Sequence, residues 1–149
     1  MALKDTIDAD LRAAMKERAA AKLLTIRSLK SAVKYREIEL MKPLDDAGVH
    51  QVIGSEIKRR RDSVEQYRLG KREDLASTEE AEIALLQGYL PAQLSPEDLA
   101  KAVDGAIARA GAVGPKDMGK VMKELLPEVQ GKAEGKAVSE LVKQRLAAK

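Results

Sequence analysis

The chain has 149 residues, of which 44% are hydrophobic, 34% charged and only 2% aromatic, with 27 basic and 24 acidic side chains for a formal net charge of +3. With no cysteine and a single histidine, His50, it offers no disulfide, no thiolate nucleophile and no cysteine- or histidine-based metal cluster. No stretch approaches the roughly 20 apolar residues of a membrane span, and Asp5, Asp8 and Asp10 interrupt both signal-peptide and transit-peptide patterns. The expectation is a soluble, cytoplasmic protein with no membrane, metal or cofactor.

Prolines and glycines punctuate a succession of helical patterns, and almost nothing alternates with the period of two that a half-buried strand needs. The fold class is all-α, with a four-helix N-terminal part followed by a small three-helix C-terminal part. In the first helix Leu3, Ile7, Leu11, Ala14 and Met15 form one apolar stripe, with Lys4, Asp8, Arg12 and Lys16 facing away. The second runs from about Ala20 to Leu40, with Leu23, Ile26, Leu29 or Lys30, Val33 and Leu40 near one side. Lys42-Pro43 stops it, because proline disfavours helical geometry in the residue before it. Asp45 and Asp46 are N-cap candidates for a third helix, whose Val49, Val52, Ile53, Ile57, Val64 and Tyr67 keep the helical period until Gly70. The fourth covers Leu75 to Leu90 and begins near Arg72 or at a Ser77 capping box closed by Glu80; Pro91 ends it.

Leu94-Ser95-Pro96-Glu97-Asp98 is the clearest local signal: Ser95 caps, Pro96 takes the first helical position, and Glu97 and Asp98 complement the positive helix start. Leu99, Val103, Ala106, Ile107 and Ala110 follow as an apolar stripe ended by Gly111. Gly114-Pro115 starts another helix carrying Met118, Val121, Met122 and Leu125, terminated by Pro127, and the last begins around Gly135 and buries Val138, Leu141, Val142 and Leu146. The hinge at Pro91 to Ser95 separates an N-terminal domain, 1–93, from a C-terminal domain, 94–149, whose thin core makes it marginal alone and expected to move.

The small net charge conceals blocks. Residues 1–36 carry 9 basic and 4 acidic groups, net +5; residues 73–104 carry 1 and 8, net −7; residues 105–149 carry 9 and 5, net +4. Opposite blocks attract as helices pack, which needs no external partner. Lys116, Lys120 and Lys123 are spaced i, i+4, i+7, and Lys132, Lys136 and Lys143 lie at i, i+4, i+11, so each set lines a helix face opposite its apolar stripe. Such rows suit phosphate oxygens, which ask for positive charge without much orientation; a solvated lysine face is the plain alternative. In the third helix Lys58, Arg59, Arg60 and Arg61 point around most of the circumference, and intrahelical salt bridges are the default expectation.

Catalytic patterns are missing. Gly114, Gly119 and Lys120 satisfy G-x-x-x-x-G-K, but Val121 stands where a serine or threonine must hold magnesium, and the segment reads as a helix with no strand before it. Glu79, Glu80 and Glu82 read as a solvated face rather than a paired-acid site. Ser28, Ser31 and Ser63 have no G-x-S-x-G turn around them, so no catalytic residue is assigned. Tyr35, Tyr67 and Tyr89 sit at or near apolar stripes as the main large packing groups. They do not interleave with basic residues, so RNA would be held by its backbone rather than by stacked bases.

Ala14-Met15-Lys16, Leu24-Thr25-Ile26-Arg27-Ser28-Leu29-Lys30-Ser31-Ala32, Lys58-Arg59-Arg60-Arg61-Asp62-Ser63-Val64-Glu65-Gln66-Tyr67, Gly88-Tyr89-Leu90-Pro91-Ala92-Gln93-Leu94-Ser95 and Lys116-Asp117-Met118-Gly119-Lys120-Val121-Met122 together resemble the YqeY family over the whole length. The family's later Gly-Arg-Ala-Asp-Gly-Lys appears as Gly131-Lys132-Ala133-Glu134-Gly135-Lys136, which keeps each charge sign but replaces a forked guanidinium by a point charge. The family is itself similar to the C-terminal tail of the B subunit of tRNA-dependent amidotransferases, a tail that contacts tRNA while kinase and amidase chemistry reside elsewhere. The resemblance thus implies a freestanding tail of the GatB/YqeY type, binding tRNA or serving tRNA metabolism. A carbon-nitrogen ligase label, with glutamine as amido donor, travels with the family, but no glutaminase nucleophile or ATP site is visible here, so enzymatic activity is left open. The candidate RNA-binding residues are Lys116, Gly119, Lys120, Lys123, Gly131, Lys132 and Lys136. The competing class is a helical protein-interaction module that docks on an amidotransferase or a synthetase.

Overall fold

The computed structural model describes residues 2–149 and contains no strand among them. Its helices are α1 (Leu3–Glu17), α2 (Ala20–Leu40), α3 (Asp46–Leu69), α4 (Glu73–Gln87), α5 (Pro96–Ala110), α6 (Met118–Val129) and α7 (Gly135–Ala147), with a 3₁₀ turn at Pro115–Asp117 leading into α6. The all-α class is therefore observed. The chain divides into two compact units, Met1–Leu90 and Pro91–Lys149.

In the first unit the helix ends follow local chemistry. Arg18 and Met41 both adopt left-handed backbone, with φ of 56° and 57°, and their N–H groups return to the last carbonyls of α1 and α2. Asp45 caps α3 by accepting the Gly48 N–H at 2.8 Å, and Asp46 accepts the Leu3 N–H at 2.9 Å, tying the start of α1 to the start of α3. The core is aliphatic, built on Ile7, Ile26, Leu29, Val49, Ile53 and Leu86. Buried Thr25 satisfies its hydroxyl by donating to the Ala21 carbonyl at 3.0 Å.

Several expectations are corrected here. Met15 is 52% exposed and Tyr35 69% exposed, so only Tyr67 and Tyr89 serve as large packing groups against this core. Helix α4 begins at Glu73 and stops at Gln87 rather than Leu90. Tyr89 and Leu90 instead fold back on the core, and the Tyr89 hydroxyl donates to Asp10 on α1 at 2.6 Å. Burial, reinforced by the Asp10 carboxylate, pushes the Tyr89 phenol well above its ordinary pKa.

The acidic cluster of α4 is not a solvated face. Glu79 and Glu82 are three residues apart and so share a side of the helix, and that side meets Arg60 of α3. The Arg60 guanidinium donates to Glu79 at 3.2 Å and to Glu82, and it lies 3.5 Å from the Ser28 hydroxyl of α2. Its side chain is only 15% exposed, and its Nε is buried without a hydrogen-bond partner. Burial pushes the Glu82 carboxyl above its ordinary value, with Arg60 opposing and Glu79 adding to the shift. Arg68 likewise reaches across to Glu73 at 3.1 Å and Glu80 at 2.5 Å. The intrahelical pairing expected of α3 holds for Arg59 with Glu56, at 2.6 Å, whereas Arg60 and Arg68 pair between helices.

In the second unit Ser95 accepts the Asp98 N–H at 3.1 Å, with Pro96 in the first turn of α5, and Gly111 closes that helix with φ 63°. The core is Val103, Ala106, Ile107, Val121, Leu125, Val138, Val142 and Leu146 with their neighbours, and no buried side chain in it is larger than leucine or isoleucine. Pro127 does not terminate α6, which continues to Val129. A proline here removes one hydrogen bond in the last turn, and burial of Val129 in the core offsets that loss.

Candidate nucleic-acid interface

The candidate residues fall on three pieces of the second unit. Lys116 sits in the 3₁₀ turn, Gly119, Lys120 and Lys123 on α6, Gly131 and Lys132 in the turn after α6, and Lys136 in the first turn of α7. Lys116, Gly119, Lys120, Lys123 and Lys136 are exposed, while Gly131 and Lys132 are half-buried. Gly119 lies four residues before Lys123 on one helical face, and a side chain at Gly119 would meet no atom within 4 Å. The backbone is therefore bare between lysines, open to close approach by a ligand.

Asp117, not a sequence candidate, braces the entry to α6. Its carboxylate accepts the Val113 N–H at 2.9 Å and lies 3.9 Å from the Lys120 ammonium. The Val113 hydrogen bond, helped by the charges of Lys120 and Lys116, holds this carboxyl below the usual carboxylate range. The local Gly-Pro-Lys-Asp spacing was the available signal, since a carboxylate just after a proline turn is placed to accept backbone N–H groups.

The turn after α6 is fixed from a distance. Gly131 has φ 76°, a conformation that favours glycine. The Gln93 side-chain amide donates to the Gly131 carbonyl at 2.9 Å and to the Pro91 carbonyl at 3.2 Å, and the Leu94 N–H donates to the Lys132 carbonyl at 2.8 Å. The segment after Pro91 thereby holds the turn that carries Lys132. Sequence reasoning missed Gln93, whose partner lies 38 residues away with no periodicity to announce it.

This geometry corrects the second lysine row. Helix α7 begins only at Gly135, after Glu134 in extended backbone, so Lys132 stands in a turn and not on the α7 face. Lys136 and Lys143, seven residues apart on α7, do share a face. The G-x-x-x-x-G-K match lies in the 3₁₀ turn and α6 and is no phosphate loop.

Charge pairing in this unit is selective. Arg109 pairs with Glu124 at 3.7 Å and Glu128 at 3.1 Å, and Arg145 with Asp104 at 3.3 Å. The arginines consume these carboxylates, and among the described residues Lys116, Lys123 and Lys136 make no ion pair. Elsewhere His50 is half-buried on α3. Among the described residues no group of three or more His, Cys, Asp or Glu is placed to hold a metal ion, and no helix is long and apolar enough to cross a membrane.

The family model of Yqey-like proteins matches residues 4–146, nearly the whole chain. The protein belongs to the YqeY family. Relatives of this YqeY-family chain include proteins called altered inheritance of mitochondria protein 41, mitochondrial. The one from Eremothecium gossypii is 36% identical over 98 residues, 64% of this chain and 54% of the relative. That from Lachancea thermotolerans is 37% identical over 82 residues, 54% of this chain and 44% of the relative. That from Pyrenophora tritici-repentis is 28% identical over 148 residues, 96% of this chain and 80% of the relative. The first two matches span about half the length of those relatives, 54% and 44%. These names overturn the cytoplasmic expectation, because the relatives are named as mitochondrial proteins. That expectation rested on the absence of targeting features, whereas compartment is an address read by import machinery and is not written in a helical core.

Proposed function

We propose that this YqeY-family protein binds RNA through the backbone phosphates, with tRNA the RNA that the family likeness favours, and serves tRNA metabolism as an accessory. Lys116, Lys120, Lys123, Lys132 and Lys136 supply the cations, and Gly119 and Gly131 give the backbone room to approach. The observation that carries this reading is the selective pairing just described: Arg109 and Arg145 pair with Glu124, Glu128 and Asp104, and among the described residues Lys116, Lys123 and Lys136 stay exposed without an ion pair. Ammonium groups on flexible stems suit phosphates, which need charge more than orientation. The Pro91–Lys149 unit contains no tyrosine, phenylalanine or tryptophan on which bases could stack, so the grip is on shape and charge.

The test is tRNA binding measured between about 50 and 200 mM salt. Substituting Lys120, Lys123, Lys132 and Lys136 by glutamine is expected to weaken binding and to flatten the salt dependence by at most about one unit of slope per lost contact. Circular dichroism should show the same helix content, because these side chains lie outside the core. Native protein without any salt-sensitive tRNA binding would end the proposal.

A further inference from the structure

Helix α2 is apolar on two faces. Ile26, Leu29 and Val33 are buried in the core, yet Leu24, Tyr35 and Ile38 are 65%, 69% and 65% exposed, and Met41 just past the helix end is 91% exposed. Leu24, Tyr35 and Ile38 are spaced i, i+11, i+14, close to whole numbers of helical turns, so they share one outward line about 21 Å long, with Ser28 and Ser31 between Leu24 and Tyr35. Scattered exposed leucines mean little, but Tyr35, Ile38 and Met41 exposed together at the end of α2, in line with Leu24, make an apolar patch fit for an interaction surface.

The charge beside the stripe says what covers it. Arg27 and Lys34, two turns apart, flank the same edge. The neighbouring carboxylates are already committed: Asp8 holds Lys30 at 2.6 Å, Glu39 holds Arg36 at 3.0 Å, and Glu37 is held by Lys4 and the Leu44 N–H. Among the described residues neither Arg27 nor Lys34 makes a hydrogen bond or ion pair; Lys34 acts on Glu37 only through space. A second copy would bring its own basic row, and the same net +5 stretch of residues 1–36, against this one. RNA has no use for leucine and isoleucine side chains in line. We propose that the outer face of α2 docks an acidic amphipathic helix of another protein, whose apolar residues recur at i, i+4, i+7 and i+11 and whose aspartates or glutamates run along one edge.

The experiment places a photo-crosslinking amino acid at Tyr35 in the full-length chain, in its own cells, and maps the crosslinked peptide. The expected adduct is to a different protein, in a segment with helical apolar spacing and an acidic edge. A synthetic peptide of that segment should bind the native chain about tenfold more tightly than the Arg27→Glu, Lys34→Glu variant or the Ile38→Gln variant. These are surface positions, so circular dichroism and the unfolding midpoint should not move. Adducts only to a second copy, to RNA or to lipid would overturn the proposal, as would no adduct, or a peptide whose binding ignores the charge reversal.

Discussion

The two units face one problem, a small core with few aromatic groups, and meet it differently. In Met1–Leu90 charges are turned inward: Arg60 lies between α3 and α4 against Glu79 and Glu82, and the Tyr89 hydroxyl reaches Asp10. In Pro91–Lys149 the interior is aliphatic throughout, and the polar work is done by caps and braces at the edges, Ser95, Gln93 and Asp117. The difference teaches where to look for function. Arg59, Arg60 and Arg68 of α3 are engaged by carboxylates, whereas among the described residues Lys116, Lys123 and Lys136 of the second unit make no ion pair.

Five substitutions sharpen this contrast, in order of expected size. Leu125 is fully buried in the second unit, so Leu125→Ala should destabilise that unit by about 2–5 kcal/mol through lost burial and the cavity left behind. Denaturant unfolding with amide exchange should show protection falling in α5, α6 and α7. Arg60→Ala leaves Glu79 and Glu82 facing each other in a largely buried site, and a loss of about 2–3 kcal/mol is expected in the same unfolding assay. If the loss is under about 0.5 kcal/mol, the size of an ordinary surface change, the inward charges do not hold the first unit. Ser95→Ala removes an N-cap and should cost about 1 kcal/mol.

The smallest effects concern pH and carry opposite signs. The Asp117 carboxyl is lowered, so its stabilisation is present above its unfolded pKa and lost as pH falls through the lower folded value; Asp117→Asn should remove that part of the acid dependence. The Glu82 carboxyl is raised, so its unfavourable contribution is full above the folded pKa and is relieved as pH falls toward the unfolded one. The unfolding midpoint of Glu82→Gln followed against pH should lack that relief.

The helical scaffold was legible because its signals are local. Ala20 and Leu40 bound α2 as read, Asp45 and Ser95 cap where capping residues were expected, and apolar periodicity named most of the core. The misreadings share a cause. Tyr35 was assigned to the core by type, but it lies on the outer face of a helix apolar on two sides, and a stripe does not say which side is covered. Glu79 and Glu82 were assigned to solvent because their partner Arg60 lies on another helix, 19 and 22 residues away. Lys132 was assigned to a helix because spacing alone cannot see Gly131 take a left-handed conformation.

The sequence by itself determined the class, the order of the helices, the caps at Asp45 and Ser95, and the absence of cysteine chemistry, since each rests on composition or on neighbours within a turn or two. Only the tertiary structure decided which charges are spent and which remain. Ion pairing between helices depends on which faces meet, and that is settled by the packing of the whole unit rather than by any window of the chain.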